Sequence, residues 1–314
     1  MATPAGSTAR GRASQLTHAY AVCRGVTRRA ARNFYYAFLV LPSEKRDALC
    51  AVYAFMRHAD DIADDEHLSA ADKLAQLQAW REQMQRALGG EVSDDPVLFA
   101  LADAQQRFSL RTDLLGLLVE GTGMDVRQAP PDAAPGVPAV LYATYADLER
   151  YCYHVASVVG LICIRVFGYH DAAAEPLAER TGIAFQLTNI IRDVREDALM
   201  GRVYLPQEDM LQFSRSPFEL SAERLGNSFD AAPFRPLLEL EAQRARECYR
   251  AADQLLPLID EDCRPALWVL VEIYRRLLEK IAQRGYDVFG EKVRVSTAEK
   301  LRVLAMGFWR RLAG

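Results

Sequence analysis

The sequence predicts an all-α protein. Apolar residues recur at intervals of three and four along most of the 314-residue chain, which is the spacing of one face of an α-helix. Hardly any stretch alternates with the period of two that a half-buried strand shows, and glycine or proline stands where the periodic segments stop. Half of the residues are hydrophobic, so a chain of this length can bury a large core.

Helices are predicted wherever the helical period is sustained. One of them follows Pro42, with Ser43 as its N-cap, and others end at Gly89-Gly90, Gly201 and Gly285. The predicted helices cover residues 16–30, 43–63, 70–88, 95–108, 111–121, 144–168, 175–199, 221–227, 233–256, 262–284 and 296–311.

We predict a single helical domain over residues 16–314, preceded by a disordered segment at 1–15. The first segment is rich in Ala, Gly, Ser, Thr and Arg, and it lacks the continuous apolar stretch of a signal peptide. Residues 128–139 are rich in proline and alanine, as a linker would be. Helices of the same kind continue on both sides, however, so we interpret this stretch as a surface loop.

Composition narrows the class of protein. The net charge of −4 and the pI of about 5.8 provide no basic footprint for nucleic acid, so no nucleic-acid partner is expected. The six cysteines form no CxxC pair and no zinc-like spacing, which indicates reduced thiols of a cytoplasmic protein. The best apolar run, residues 155–164, is stopped by Arg165, so no membrane-spanning helix is predicted.

The last helix is amphipathic. It places Leu301, Leu304 and Phe308 along one side, which we expect to pack on the body of the protein. Peripheral contact of Trp309 and the neighbouring arginines with a membrane surface is the alternative.

Two short acidic segments stand inside predicted helices, at residues 57–65 and 189–197. Residues four apart stack on one face of a helix, with Cβ atoms about 5–6 Å apart. Each segment therefore presents a column of oxygen ligands. The columns are Asp60 with Asp64, and Asn189 with Asp193 and Asp197.

A column of carboxylates on a buried face is costly, because the charges repel one another and lose water. Mg²⁺ prefers oxygen ligands and is usually held by one or two carboxylates together with substrate phosphate oxygens. A solvated acidic face is the alternative for either motif alone. The neutral ligand Asn189 favours the metal, and so do the adjacent Arg57, Arg192 and Arg195, whose guanidinium groups match phosphate. A calcium EF-hand loop fits less well, since residues 60–65 lack its glycine.

Other motifs, taken together with the acidic ones, resemble the squalene/phytoene synthase family. The resemblance runs from about residue 18 to 305, and its motifs are specific in combination. They are NFYYAF at 33–38 followed by Leu41-Pro42, YAFMR at 53–57, YCYHVA at 151–156 ending at Gly160, and 186–197 followed by GRVYLP at 201–206.

The resemblance implies an isoprenoid-synthase fold, with helices around a central cavity and the acidic motifs facing each other at its mouth. It also implies a prenyltransferase that joins two identical prenyl diphosphates head to head through a cyclopropylcarbinyl diphosphate. Asn33 and Ser157 depart from the common pattern, and the form Val155-Ala156-Ser157 favours farnesyl diphosphate as substrate, with presqualene diphosphate or squalene as product. Phytoene synthesis from two geranylgeranyl diphosphates is the alternative, and a non-catalytic prenyl-lipid-binding or assembly protein is an alternative of another class.

The resemblance implies three sets of site residues. The metal ligands are Asp60, Asp64, Asn189, Asp193 and Asp197, and the four aspartates count as catalytic together with Tyr151. The diphosphate-binding residues are Tyr53, Arg57, Gln186, Arg192, Tyr286, Arg294 and Arg32. The cavity residues are Phe34, Tyr35, Phe38, Val155, Ala156, Gly160 and Phe185, for which plain core packing is the alternative.

The expected cofactor is Mg²⁺, or Mn²⁺ in its place, with NADPH required only if the product is squalene. The metal and the arginines would stabilise the diphosphate as it leaves, and a dry cavity with aromatic faces would protect the carbocation. The expected partners are prenyl diphosphates, and the sequence does not indicate an oligomeric state.

Overall fold

A computed structural model of the chain describes residues 5–30, 32–127, 136–226 and 229–313, and it describes side chains for 11–30, 34–127, 136–226 and 229–310. The all-α prediction is confirmed, since 75% of the structure is helical. The α-helices are α1 Ala5–Ala30, α2 Arg32–Phe38, α3 Ser43–Ala63, α4 Ala70–Leu88, α5 Pro96–Phe108, α6 Thr112–Arg127, α7 Tyr145–Cys152, α8 Val158–Phe167, α9 Ala174–Leu199, α10 Gln207–Gln212, α11 Arg235–Leu255, α12 Arg264–Gln283 and α13 Thr297–Ala313. A π-helical turn, Tyr153–Ser157, joins α7 to α8, and 3₁₀ turns cover Pro217–Leu220, Ala232–Phe234 and Leu256–Leu258.

The predicted helices differ from the structure at several places, and one of them is α6, which continues to Arg127 instead of ending at 121. Residues 5–15, predicted to be disordered, continue α1, because alanine, arginine and glutamine there have high helix propensity. The helix predicted at 221–227 is wrong for its described part, which is one turn closed by a bond from Leu225 N to Ser221 O. The short helices α2 and α10 were not predicted, since six or seven residues are too few to establish a period.

One cluster of buried residues extends from Ala19 to Leu304 and includes residues from most of the helices. Helix α9 packs against α11, α8, α12 and the π-helical turn, so the second acidic motif lies on an element surrounded by others. The single-domain organisation stays a prediction.

Helix α9 lies unusually close to the π-helical turn and to the start of α8. A Cβ atom added to Gly182 would stand 2.7 Å from the carbonyl oxygen of Ala156, and one added to Gly160 would stand 2.9 Å from that of Ala178. Both distances are too short for a side chain, so the two backbones touch through glycine. The contact also explains Ser157, whose hydroxyl donates to the carbonyl of Glu179 at 2.7 Å and is buried between the helices.

The continuous helical stretch Tyr145–Phe167 is the one segment, among the described residues, that is long and apolar enough to cross a membrane. Half of it is buried inside the protein. A core helix has the same composition, and the packing of this stretch on α9 accounts for its apolar character.

Two short parallel strands lie beside the end of α9. Strand β1, Ala139–Val140, pairs with β2, Arg202–Val203, in the register Ala139 to Arg202. The amide of Leu141 donates to the carbonyl of Val203 at 3.0 Å. This pairing fixes the segment that follows the second acidic motif.

Helix α13 packs on α12 by a face other than the predicted one. Leu304 is buried as expected, but Leu301 and Phe308 are 50% and 40% exposed. A Cβ atom at Gly307 would lie 2.4 Å from Val269 Cγ2, so the glycine permits the closest approach. The helix therefore turns Val303 and Gly307 inward and leaves part of the predicted apolar side outside.

We predict that Gly182→Ala lowers the free energy of unfolding by about 1–3 kcal/mol, because the new methyl group must push α9 from the π-helical turn. Urea denaturation followed by circular dichroism measures this change. Gly25→Ala in α1 is the control, since its nearest contact is the flexible side chain of Arg29 at 3.5 Å, and its stability should stay equal or rise. Equal stability of the Gly182 variant and the wild type would contradict the close contact.

Candidate active site

An apolar cavity of about 240 Å³ lies between α2, α3, α8, α9 and α12. Most of its wall is aliphatic or aromatic, as the prenyl chain expected from the sequence would require. Of the predicted cavity residues it is lined by Phe34, Phe38, Val155, Ala156, Gly160 and Phe185. Tyr35 lies outside it, in a neighbouring pocket.

An aromatic cluster forms one wall of the cavity. The ring of Phe185 stacks on that of Tyr274 with centroids 4.5 Å apart, and Phe34 meets Tyr274 edge-on at 6.1 Å. The sequence prediction missed Tyr274, because an aromatic residue on the apolar face of α12 looks the same as core packing. Cys163 also lines the cavity, and burial raises the pKa of its thiol to about 12.

The first acidic motif lies at the end of α3. Asp60 borders both the apolar cavity and a polar pocket of about 270 Å³, which we call the acidic pocket. Burial raises the pKa of Asp60 from its ordinary 3.8 to about 6, although Arg57 opposes the shift. The hydroxyl of Thr122 donates to Asp60 at 3.3 Å. Asp64 is the C-cap of α3 and lines the same pocket.

The acidic pocket contains a third carboxylate, Asp125 of α6. It accepts hydrogen bonds from the hydroxyl of Tyr151 at 3.2 Å and from that of Tyr204 at 2.9 Å. The two tyrosine rings stack with centroids 5.3 Å apart, and Arg202 lines the pocket as well. Burial raises the pKa of Asp125. Sequence reasoning did not place these contacts, although Arg202 and Tyr204 belong to the GRVYLP motif.

The second acidic motif runs along α9. Asn189 borders the apolar cavity, and its Oδ1 atom is buried without a hydrogen-bond partner. Asp193 is paired with Arg192 and with Lys292, whose Nζ lies 2.6 Å from Oδ1. Burial raises the pKa of Asp197 to about 7, and the nearby charges of Asp193 and Asp125 add to the shift.

A pocket of about 950 Å³ adjoins the other side of the cavity, and we call it the basic mouth. The mouth and the cavity share Phe34, Tyr53, Asn189 and Tyr274 as lining residues. The cations that line the mouth are Arg28, Arg192, Lys292, Arg294 and Lys300. The sequence analysis named Arg192 and Arg294 and missed the other three, which lie outside the motifs that it singled out.

The structure brings together most of the predicted diphosphate-binding residues. Tyr286 is the exception, because it is 4% exposed, lines none of these three pockets, and accepts a hydrogen bond from Arg246 at 3.3 Å. The side chain of Arg32 lies outside the described residues. The residues placed on the cavity or its two adjoining pockets are Tyr53, Arg57, Gln186, Arg192 and Arg294.

The chemistry of these side chains fits a hard divalent cation. All five predicted ligands offer oxygen, one oxygen of Asn189 is unpartnered, and two aspartates have a raised pKa, so a cation would relieve their repulsion. No group of three His, Cys, Asp or Glu side chains in the described parts of the chain is arranged to hold a metal.

The family model of squalene/phytoene synthases matches residues 27–299. The chain belongs to this family. It is 34% identical to a protein named 15-cis-phytoene synthase from Synechococcus elongatus, over 95% of this chain and 94% of that one. It is 35% identical to one named phytoene synthase from Mycobacterium tuberculosis, over 93% of this chain and 91% of that one.

Solved structures give the same result. A dehydrosqualene synthase crystallised with a ligand superposes with a TM-score of 0.82 at 31% identity, over 96% of this chain and all of that one. A squalene synthase from Alicyclobacillus acidocaldarius superposes with a TM-score of 0.75 at 27% identity, over 87% of this chain and 96% of that one. The fold is thus the isoprenoid-synthase fold, and the protein is a prenyltransferase of the kind that joins two prenyl diphosphates head to head. Members of the family use divalent metal ions.

The crowded carboxylates predict a pH-dependent stability. Because the pKa of Asp197 is raised, the folded state keeps a proton that the unfolded chain releases, so this group's contribution to stability falls as pH rises from about 4 to about 7. Asp197→Asn should therefore raise the free energy of unfolding at pH 8 in EDTA by about 1–3 kcal/mol, as measured by urea denaturation.

Asp193→Asn is the matched variant, and we expect it to change the free energy of unfolding in the opposite direction. Burial raises the pKa of Asp193, but the hydrogen bonds and charges of Arg192 and Lys292 outweigh it and lower the pKa. Its stabilisation is present above pH 4 and is lost as pH falls, so Asp193→Asn should destabilise the protein at pH 8. If both variants changed the free energy of unfolding at pH 8 in the same direction, this electrostatic arrangement would be contradicted.

Proposed function

We propose that the protein is a phytoene synthase, which joins two molecules of geranylgeranyl diphosphate into phytoene and releases two diphosphates, and the two protons that the carbon skeleton loses pass to these diphosphates. The observation that supports a head-to-head synthase is the apolar cavity, which adjoins the acidic pocket at Asp60 and the basic mouth at Asn189. The choice of phytoene rests on the relatives of that name, which are 34% and 35% identical over more than nine-tenths of the chain.

This proposal replaces the sequence-based preference for farnesyl diphosphate. That preference rested on Ser157, but the Ser157 side chain faces Glu179 between two helices and does not line the cavity. Ser157 therefore supports neither substrate, and its hydrogen bond gives it a role in helix packing.

Ionisation of an allylic diphosphate separates a cation from an anionic leaving group. Bound Mg²⁺ would supply charge stabilisation at that leaving group, and Asp60, Asp64, Asn189, Asp193 and Asp197 would hold it. Arg192 and Lys292 neutralise Asp193 and also line the basic mouth, which supports a role for both in binding diphosphate oxygens. Mn²⁺ could take the place of Mg²⁺, since it prefers the same ligands.

The apolar cavity would protect the carbocation that ionisation leaves behind. Its aliphatic wall excludes water, and the faces of Phe34, Phe185 and Tyr274 carry the negative side of an aromatic quadrupole, worth about 0.5–2 kcal/mol per ring. Tyr151 is held at the acidic pocket by its bond to Asp125, so its oxygen keeps lone pairs for a hydrogen bond or proton from the substrate.

Formation of phytoene needs no reductant, so we propose that NADPH is not a cofactor. We also propose that the protein works in the cytoplasm. Peripheral contact with a membrane is part of this proposal, since the proposed substrates are lipids.

Product analysis tests the proposal. The purified protein is incubated with Mg²⁺ and either geranylgeranyl or farnesyl diphosphate, with and without NADPH, and the products are identified by mass spectrometry. The expected product is a C40 hydrocarbon from the geranylgeranyl substrate, with or without NADPH. A C30 product formed in preference would restore the squalene alternative, and binding of both substrates without turnover would favour the non-catalytic class.

We predict that Asp64→Ala and Asp193→Ala each lower kcat by about 10²–10³-fold, because charge stabilisation at the leaving group is lost. Asp65→Ala is the control, since it removes a carboxylate one position away that accepts a hydrogen bond from the amide of His67 at 2.9 Å. Steady-state turnover and far-ultraviolet circular dichroism distinguish lost chemistry from lost fold. Equal losses in all three variants would refute the assigned columns.

A further inference from the structure

Helix α13 turns an apolar surface away from the protein. The exposed fractions are 50% for Leu301, 40% for Phe308 and 70% for Trp309, and Ala305 between them is exposed too. We call these four residues the outer face of α13. They are close together, because positions 301, 305 and 308 share one side of a helix and 309 adjoins it.

The outer face begins at the basic mouth. Thr297 and Lys300 of the same helix line the mouth, and Leu301 follows Thr297 by one helical turn. An apolar stripe thus extends from the rim of the pocket along α13. The opposite side of the helix is occupied, since Val303 and Gly307 are buried against α12.

The helix is also cationic. Its sequence has Lys300, Arg302, Arg310 and Arg311 against the single acid Glu299. The charge of Glu299 is compensated by Lys280, 2.7 Å away. Arg302 is exposed, and the guanidinium of Arg310 lies 4.3 Å from the centroid of Trp268. Exposed apolar residues with flanking cations are typical of helices that lie in a membrane interface.

We propose that the outer face of α13 docks the protein on anionic phospholipid membranes and so brings the basic mouth to the bilayer. The inference rests on the proposed function, because a C20 prenyl diphosphate partitions into the membrane with its diphosphate at the headgroups. The cations of α13 and of the mouth suit such a surface. A second copy of the chain suits it less, since a two-fold interface through this face would bring the arginines of α13 close to their own copies.

Co-sedimentation of the full chain with vesicles tests the proposal. Vesicles of equal parts phosphatidylcholine and phosphatidylglycerol are compared with vesicles of phosphatidylcholine alone. The wild type should bind the anionic vesicles, and less so as salt is added. Leu301→Glu/Trp309→Glu should weaken this binding by about tenfold or more, because apolar burial is lost and two negative charges face the lipid.

Val92→Glu/Leu211→Glu is the matched control, since both residues are exposed, at 83% and 66%, and the change in net charge is the same. Its vesicle binding should equal that of the wild type. Thermal unfolding checks that the variants fold. Unchanged binding of the Leu301/Trp309 variant, absence of wild-type binding, or a concentration-dependent dimer in light scattering that the same variant abolishes would each overturn the proposal.

Turnover separates this inference from the proposed function. With substrate in detergent micelles, the Leu301/Trp309 variant should match the wild type, because neither residue lines the pockets. With substrate embedded in anionic vesicles, the variant should be slower. Vesicle binding without C40 product in detergent would defeat the proposed function alone.

Discussion

The backbone contact between α9 and the π-helical turn determines where the site can lie. Gly182 stands against the carbonyl of Ala156, and Ala156 and Gly182 both line the cavity. The same α9 carries Asn189, Asp193 and Asp197 about two to four turns further on. One close contact thus sets both the width of the apolar cavity and the position of the side chains that we propose as metal ligands. π-Helical turns are often found at functional sites, because the extra residue redirects the side chains that follow.

The candidate site contains several carboxylates, and neighbouring cations compensate only part of their negative charge. Asp193 is neutralised by Arg192 and Lys292, whereas Asp60, Asp125 and Asp197 are held at raised pKa values by burial. Such an arrangement lowers stability in the absence of ligand. A bound divalent cation would relieve this repulsion, and members of the family use such ions.

Local periodicity was enough to predict most of the architecture. Helices α3, α4, α9 and α12 were predicted to within two residues at each end, and the two acidic columns follow from the four-residue spacing alone. Contacts between distant segments were not predictable. Asp125 meets Tyr204 across 79 positions, and Lys292 reaches Asp193 across 99, so nothing local in the sequence marks them. The rotation of α13 was missed because it depends on how Gly307 fits Val269, a matter of shape between two helices.

The thiol of Cys163 in the cavity wall has a chemical consequence of its own. An allylic cation alkylates any good nucleophile within reach, and a thiolate is among the best of them. Burial keeps this sulfur protonated, since its pKa is raised to about 12. The apolar wall that excludes water thereby also suppresses the thiolate, which is the form of this sulfur that reacts fastest with such a cation.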